Sequence, residues 1–433
     1  MKRISIPGDK SITQRLVILG GLAEGKSCLK GALFGGDCSS TVDALNNLGV
    51  RIKPSSDHGE LIIVGMGLQG FQSPKRNLDF HNSGTGARLM LGVLSGQKHL
   101  KDIFVTGDQS LRQRPMGRVV EPLREVGAKI EYMEDVGRLP LSVSGQSLHP
   151  FHYQSPVASA QVKSALLFAG LVAGNATKIS EPIQSRDHTE RLFESAGIRI
   201  RERNNENKWQ ISMDSPPSKL DPFEVDIPGD FSSAAFFMGL ATLGGVNEGI
   251  VLENVGLNPT RTGLLTVMLR MGANIQISKS ISGIIKEARG VIEILPSELS
   301  GTEITPEEVP AMIDEFPLLI VLASRAVGVT KIRGAQELRF KESDRIGVMV
   351  KNMRAIGVEI EEFEDGLEIV GSESPLSGKV RSHGDHRIAM AFGILNALPQ
   401  NQIAIEGMDA AGVSFPGFWE ALSSIQKNLV GHD

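Results

Sequence analysis

The chain writes one α/β unit six times, and any fold it adopts has to accommodate that repetition. A polar start, a strongly apolar helix and a glycine turn into a strand recur as GDKSITQRLVILGGLAEGKSCLKG, NSGTGARLMLGVLSGQKHLKDIFVTG and ASAQVKSALLFAGLVAGNATKIS. The same order returns as GDFSSAAFFMGLATLGGVNEGIVLENV, IDEFPLLIVLASRAVGVTKIRGA and GDHRIAMAFGILNALPQNQIAIEGM. Five of the six continue into a second helix that closes on glycine before a strand: ALNNLGVRIKP, PLREVGAKIEY, LFESAGIRIRE, VMLRMGANIQI and VKNMRAIGVEIEE. The sixth ends as FWEALSSIQKNL. The marker glycines Gly49, Gly127, Gly197, Gly272 and Gly357 recur at about 70 to 85 residues, longer than common solenoid periods, so each unit is a full α/β module.

Two sets of three modules imply two similar domains. The proline-rich join SPPSKLDPFEVDIPGD sets the boundary near Ile227, with 10–227 as one domain and 1–9 with 228–433 as the other. The first helix of each module is apolar nearly all round and is expected to be buried, whereas the second, charged as in EPLREVGAK, should face solvent. Yet the buried helices start with polar residues: Lys10, Ser11, Asn82, Ser83, Ser159, Gln161, Asp314, Asp385 and Arg387 lie at or near such starts. Helices packed in parallel would place these starts on one face, where aligned dipoles and unpaired N–H groups attract anions. Two such faces opposed would form an anion cleft.

Bulk properties narrow the class. A 433-residue chain with 41% hydrophobic and 22% charged residues is ordinary for a soluble globular protein. A net charge of -5, without a run of cations and interleaved aromatics, argues against nucleic acid as a partner. Only Cys28 and Cys38 are present, which fits a reducing compartment. MKRISIPGDK lacks the apolar run of a signal peptide and no stretch reaches transmembrane length, so a cytoplasmic protein without a membrane partner is expected.

GGLAEGKS, residues 20–27, fits the phosphate-cradling pattern G-x-x-x-x-G-K-[ST] letter for letter. In a working loop of that kind a strand comes before the glycines and a helix after; here a helix comes before and a strand after, so Gly25 reads as a helix C-terminal glycine and Lys26 as a surface residue. Phosphate is expected elsewhere.

PGDKSITQR, HNSGTGARL, QRPMGR, ASAQVKSALL, SRDHTERL, DEFP, RFKESDR, GDHRIAMAF and SFPGF, in that order across the whole chain, resemble the EPSP synthase family. The resemblance implies a transferase that moves the enolpyruvyl group of phosphoenolpyruvate to the 5-hydroxyl of shikimate 3-phosphate by addition and elimination, in the shikimate pathway to aromatic amino acids. It implies an α/β fold of two similar domains, each of three βαβαββ repeats with buried parallel helices (an inside-out α/β barrel), and a cleft that closes on substrate. Two phosphorylated, carboxylated substrates need many cationic donors and a few carboxylates to move a proton. No cofactor or metal is implied; HGDH at residues 383–386 is a weak ligand set. A monomer is expected.

The resemblance also carries roles to residues. Lys10 falls in the phosphoenolpyruvate region and on shikimate 3-phosphate, while Ser11 and Arg15, one helical turn apart, hold the shikimate carboxylate and ring hydroxyl. Ser159, Ala160, Gln161 and Ser185 or Arg186 line the pocket for the 3-phosphate. Asn82, Gly84, Arg114 and Gln161 meet phosphoenolpyruvate, with Arg345 and Arg387 clamping its phosphate and carboxylate; Arg112 is expected to be structural. Asp314 resembles the carboxylate on the attacking hydroxyl, and Lys341 and Glu342 the remaining acid and base groups, with Asp314 and Lys341 also touching shikimate 3-phosphate. Lys341 and Arg345, four apart, are expected on one helix face with Glu342 beside them. Ala160, Arg186, Glu337 and Val413 depart from the pattern of many members and resemble its second class, which includes glyphosate-tolerant enzymes.

Three rivals remain. The enolpyruvyl transferase acting on UDP-N-acetylglucosamine shares the fold but typically carries a cysteine five residues before the R-P pair, where this chain has Gln109. A catalytically silent anion-binding module would be expected to have lost Asp314, Lys341 or Glu342, and all three are present. A P-loop nucleotide hydrolase is disfavoured by the inverted order around GGLAEGKS.

Overall fold

The computed structural model describes residues 1–55, 60–205, 208–280 and 285–427. It divides into two compact units: Gly8–Ile227 with residues 285–287, and Met1–Pro7 with the rest of the chain from Pro228 onward. Each has its own hydrophobic core.

Within each unit the repeat has one topology. In the third repeat strand Phe151–Gln154 is followed by helix Ala160–Ala173, strand Thr177–Glu181, helix His188–Ser195 and the strands Arg201–Asn205 and Lys208–Met213. The first two strands pair in parallel across the inner helix; Lys208–Met213 then pairs antiparallel with both Thr177–Glu181 and Arg201–Asn205. This is βαβαββ, and the second and fifth repeats build four-stranded sheets in the same order. A parallel pair needs a crossover long enough for a helix, and the repeat supplies one.

The first and fourth repeats take their leading strand from elsewhere in the chain. Glu224–Asp226 pairs in parallel with Glu24–Lys30, and Lys2–Ser5 with Ile250–Gly256. Each unit therefore closes on a strand contributed from a distant point of the sequence. The sixth repeat has the parallel pair Ser377–Arg381 and Gln402–Glu406, then a 3-10 turn, Met408–Val413, and helix Phe418–Lys427.

The six inner helices are Lys10–Leu22, Gly84–Gly96, Ala160–Ala173, Phe231–Thr242, Phe316–Ala323 and His386–Asn396. Five start on a side-chain cap: Asp9, Ser83, Ser159, Asp230 and Asp385 each accept a hydrogen bond from a backbone N–H of the first turn. The fifth helix has Pro317 in its first turn instead, where a missing N–H costs nothing. Burial follows composition: in Phe231–Thr242 every residue is buried. Close approach needs small residues, and a Cβ on Gly92 would lie 2.0 Å from the Ala165 carbonyl oxygen of the next inner helix.

Outer helices behave as their charge predicts. Gly117–Glu125 buries Val119, Val120, Pro122 and Leu123 and leaves its other face more open. All five marker glycines follow such helices with positive φ, from 79° at Gly197 to 102° at Gly272, the left-handed exit that glycine adopts without Cβ strain. Gly25 differs from expectation. The first inner helix ends at Leu22 with Ala23 as cap, and Gly25 lies inside strand Glu24–Lys30 at φ 121°, with the Pro222 ring 3.3 Å from where its Cβ would be. Lys26 is exposed on that strand. No helix among the described residues is long and apolar enough to cross a membrane.

Candidate active site

The starts of the three inner helices of the first unit are joined to one another. Gln14 Nε2 donates to Ser83 Oγ at 2.7 Å, and Arg88 Nη1 and Thr85 Oγ1 bracket Gln161 at 2.8 and 2.9 Å. Arg15, almost fully buried, donates through Nη2 to Ser164 Oγ at 2.9 Å and through Nε to Thr189 Oγ1 at 2.7 Å. These bonds run between the first two turns of the inner helices, with Thr189 of the neighbouring outer helix, so the three N-termini share one end of the unit, with their dipoles aligned there.

Lys10 opens the first inner helix with Nζ 2.9 Å from Asp37 Oδ2, and the next residue, Ser11, gives its carbonyl oxygen to Arg15 Nη1 at 3.0 Å. Arg114 Nη2 donates to Asn82 Oδ1 at 2.5 Å, and Asn82 Nδ2 donates to Asp108 at 2.9 Å. Gly84 begins its helix directly beneath this pair; a Cβ there would meet Arg88 Nη1 at 2.9 Å and Arg114 Nη1 at 3.3 Å. Arg112 turns away to an exposed pair with Glu134. Ser159 caps the third inner helix, with Ala160 and Gln161 as its first residues.

Ser185 turns inward. The Ser185 hydroxyl donates to Glu181 at 2.7 Å and its carbonyl accepts from Lys163 at 3.2 Å, so this serine faces a buried ion cluster. Lys163 Nζ lies 2.9 Å from Glu181 and 2.7 Å from Glu190, all three side chains 1% exposed. Two carboxylates share one ammonium. Burial pushes the Glu190 carboxyl up, and Lys163 does not fully offset it; burial works against the Lys163 charge too, but Glu190 and Glu181 hold its pKa above the usual lysine value.

The corresponding end of the second unit is ionic. Asp314 precedes the fifth inner helix, its carboxylate within reach of three arginines: Oδ1 is 3.4 Å from Arg345 Nη1, and Oδ2 is 3.6 Å from Arg261 Nη1 and 3.7 Å from Arg387 Nη2. Arg345, 1% exposed, also donates to Glu342 at 2.6 Å and to Asp385 at 2.9 Å. Burial opposes the Arg345 charge, but Asp385, Glu342 and Asp314 outweigh it and raise its pKa above the ordinary arginine value. Burial alone would raise the Asp385 carboxyl; Arg345 overrides it and holds it below the ordinary range. Arg387 Nη1 donates to the Asp314 carbonyl at 3.2 Å, tying the sixth inner helix to the fifth.

Lys341 and Glu342 are not on a helix. A 3-10 turn, Gln336–Phe340, which contains Glu337, ends at Lys341 in extended backbone, and helix Arg345–Ala355 starts only after its cap Asp344. The i, i+4 reading of Lys341 with Arg345 therefore fails. Ser and Asp at 343 and 344 favour capping over continuation, and the Asp344 carboxylate accepts from Gly347 N at 3.0 Å. Glu342 still reaches Arg345 from this bend. In SFPGF the two phenylalanines are core, Phe418 edge-on to Phe236 and Phe415 edge-on to Phe237, while Pro416 and Gly417 are exposed; Val413 ends the 3-10 turn before them.

Sequence reasoning missed Asp37, Arg88, Lys163 and Arg261. Arg88 and Lys163 leave a trace, a cation inside an apolar helix that has to find partners. Asp37 and Arg261 stand near starts of outer helices, which look solvated from pattern alone.

Six α/β repeats with buried inner helices and two sets of polar helix starts define an enolpyruvyl-transferase fold, shared with the enolpyruvyl transferase NikO from Streptomyces tendae at a TM-score of 0.76 and 15% identity, over 98% of this chain and 94% of that one. Residues 1–422 match the family model for EPSP synthase (3-phosphoshikimate 1-carboxyvinyltransferase), and the chain belongs to that family. It is 44% identical to the 3-phosphoshikimate 1-carboxyvinyltransferase of Bacillus subtilis (strain 168), over 98% of this chain and 97% of the relative. It is 45% identical to that of Persephonella marina (strain DSM 14350 / EX-H1) over the same shares. The EPSP synthase structure from Acinetobacter baumannii superposes with a TM-score of 0.83 at 40% identity, covering 98% of this chain and 95% of that one.

Proposed function

We propose that the chain transfers the enolpyruvyl group of phosphoenolpyruvate to the 5-hydroxyl of shikimate 3-phosphate and releases phosphate, as a cytoplasmic monomer without cofactor or metal. Its domains are 10–227 and 1–9 with 228–433. The hydroxyl loses a proton and bonds to C2 of phosphoenolpyruvate while C3 gains one; the C2–O bond to phosphate then breaks and C3 returns a proton. The first domain supplies anion donors: Lys10, Ser11 and Arg15 for shikimate 3-phosphate, with Ser159, Ala160, Gln161 and the Ser185–Arg186 corner at its phosphate. Lys10, Asn82, Gly84, Arg114 and Gln161 serve phosphoenolpyruvate. Because the Ser185 hydroxyl is engaged by Glu181, Arg186 is the better phosphate donor of that corner.

The second domain supplies the proton chemistry through Asp314, Lys341 and Glu342, with Arg345 and Arg387 on phosphoenolpyruvate. The observation that carries the reading is the Asp314 carboxylate, 17% exposed with three buried arginines around it. An anionic substrate drawing Arg345 and Arg387 towards itself leaves Asp314 with less positive charge and a higher proton affinity, at the moment a hydroxyl has to be deprotonated. Phosphate release is to be measured with phosphoenolpyruvate and shikimate 3-phosphate, and in parallel with UDP-N-acetylglucosamine as acceptor. Turnover with the shikimate substrate alone is expected; release only with the nucleotide sugar, or with neither, overturns the reading.

A further inference from the structure

Asp314 has a third arginine that the roles above do not use. Arg261 lies in the loop Asn258–Thr262 before the outer helix Gly263–Arg270, and its side chain is 3% exposed. The loop is shaped locally: the Asn258 carboxamide oxygen accepts from Thr260 N at 2.9 Å, and the Asn258 carbonyl accepts from Arg261 N at 2.9 Å. That turn sends the guanidinium inward. Nη2 donates to Ser232 Oγ at 2.5 Å and lies 3.5 Å from Asp230 Oδ1 and 3.9 Å from Glu315 Oε1, while Nη1 lies 3.6 Å from Asp314 Oδ2. Asp230 caps the fourth inner helix and Glu315 stands at the start of the fifth, so one side chain fastens two helix starts and the Asp314 carboxylate together.

The carboxylates on this end differ in access. Asp230, Glu315 and Asp385 are 7%, 1% and 0% exposed, whereas Asp314 and Glu342 are 17% and 20% exposed. Arg261 thus sits behind an open carboxylate and in front of closed ones. Arg345 holds the opposite oxygen of Asp314, and Arg387 shares Oδ2 with Arg261.

We propose that Arg261 is a positioning residue for the transfer reaction: it is the counter-ion that stays on Asp314 when Arg345 and Arg387 turn to substrate, keeping the carboxylate oriented and ionised for the attacking hydroxyl. The inference rests on the assignment of Asp314 above. A guanidinium suits the role because its fork reaches Ser232 and Asp230 through one nitrogen and Asp314 through another, which an ammonium cannot do at once. The charged groups facing Asp314 include Arg261, Arg345, Arg387 and the neighbouring Glu315, with Glu342 and Asp385 paired to Arg345. Removing Arg261 takes one positive charge from this set and makes Asp314 easier to protonate.

The test uses the full chain with Arg261→Met, Arg261→Lys, Asp314→Asn and the Arg261→Met/Asp314→Asn double variant, in the phosphate-release assay across pH. Arg261→Met is expected to lower kcat by about 10²-fold, with KM for shikimate 3-phosphate within about threefold, and to move the acid limb of the kcat profile to higher pH. Arg261→Lys keeps the charge, so its acid limb should stay in place while kcat falls by about tenfold through lost orientation. If Arg261 acts through Asp314, adding Arg261→Met to Asp314→Asn costs less than about threefold more. Thermal unfolding is followed for each variant, and should Arg261→Met not fold, Arg261→Lys carries the decision. Unchanged kcat in Arg261→Lys, an unmoved acid limb in a folded Arg261→Met, or fully additive losses in the double variant overturn the proposal. An inactive parent chain would instead sink the functional reading itself.

Discussion

In the first unit the inner-helix starts are joined by neutral groups, Gln14 to Ser83 and Gln161 to Thr85; Arg15, Arg88 and Arg114 donate to hydroxyls, amides and carbonyls, while Lys10 pairs with the Asp37 carboxylate. In the second unit the same positions are joined by ion pairs, Arg261, Arg345 and Arg387 against Asp230, Asp314, Glu315, Glu342 and Asp385. One repeat topology thus presents two chemistries. A cation held by neutral partners keeps most of its charge for an incoming anion; a carboxylate among arginines is poised by their balance and responds when a substrate disturbs it. On the roles proposed above, the first end binds and the second moves protons.

If that contrast is right, variants of the second end act on kcat and those of the first on binding. The largest effect is expected for Asp314→Asn, with kcat down by about 10³-fold and shikimate 3-phosphate affinity within a few-fold by calorimetry; Glu342→Gln should follow at about 10²-fold. A variant of Glu342 with near-normal turnover would remove it from the mechanism. In the first unit Lys10→Ala should raise KM for phosphoenolpyruvate by about 30-fold or more, since it deletes a charge-assisted contact, whereas Lys26→Ala on its exposed strand should stay within about twofold. Labelled ATP that binds through Lys26 would reopen the phosphate-loop reading.

Stability should divide the same way. Asp385→Asn leaves the buried Arg345 guanidinium short of its main partner and is expected to cost about 3 to 5 kcal/mol in urea unfolding. Glu190→Gln removes one of two carboxylates competing for Lys163 and should be neutral or stabilising at pH 7. The pH responses have opposite signs. Asp385 has a depressed folded pKa, so its contribution is present above the unfolded value of about 4 and is lost as pH falls through the folded one. Glu190 has a raised folded pKa, so its contribution is full below about 4 and lost as pH rises through the folded value. Hydrogen exchange followed from about pH 4 downward should therefore show acid weakening the amides around Asp385 in the wild type but not in Asp385→Asn. Identical slopes would break the comparison.

The smallest effect concerns Gly84. Its added methyl would press on Arg88 and Arg114; the family resemblance puts the longer inhibitor glyphosate in the phosphoenolpyruvate place, so Gly84→Ala is expected to weaken glyphosate by several-fold more than phosphoenolpyruvate, read from inhibition and KM in one assay. Equal losses would mean that the methyl displaces Arg114 rather than narrowing the ligand's space.

Much of the fold could be read from the chain because its causes are local. Helices apolar on every side can only be buried, and LREVGAK or FESAGIR ends a helix on glycine because the left-handed exit suits a residue without Cβ. Motif order across the whole length was enough to find the family. The reading failed where two local tendencies compete: RFKESDR has helical spacing, but Ser343 and Asp344 stop it, and the segment bends at Lys341.

The repeat, the burial of the first helix of each module, the glycine exits and the residue types gathered at the helix starts are all written along the chain. Which of those residues meet depends on the packing of one repeat against the next. Ser185 turning to Glu181, Lys10 to Asp37 and Arg261 to Asp314 depend on how neighbouring repeats pack and which rotamers that packing leaves open. Periodicity reports which face of an element is buried; it carries no term for the partner that a buried charge finds across the core.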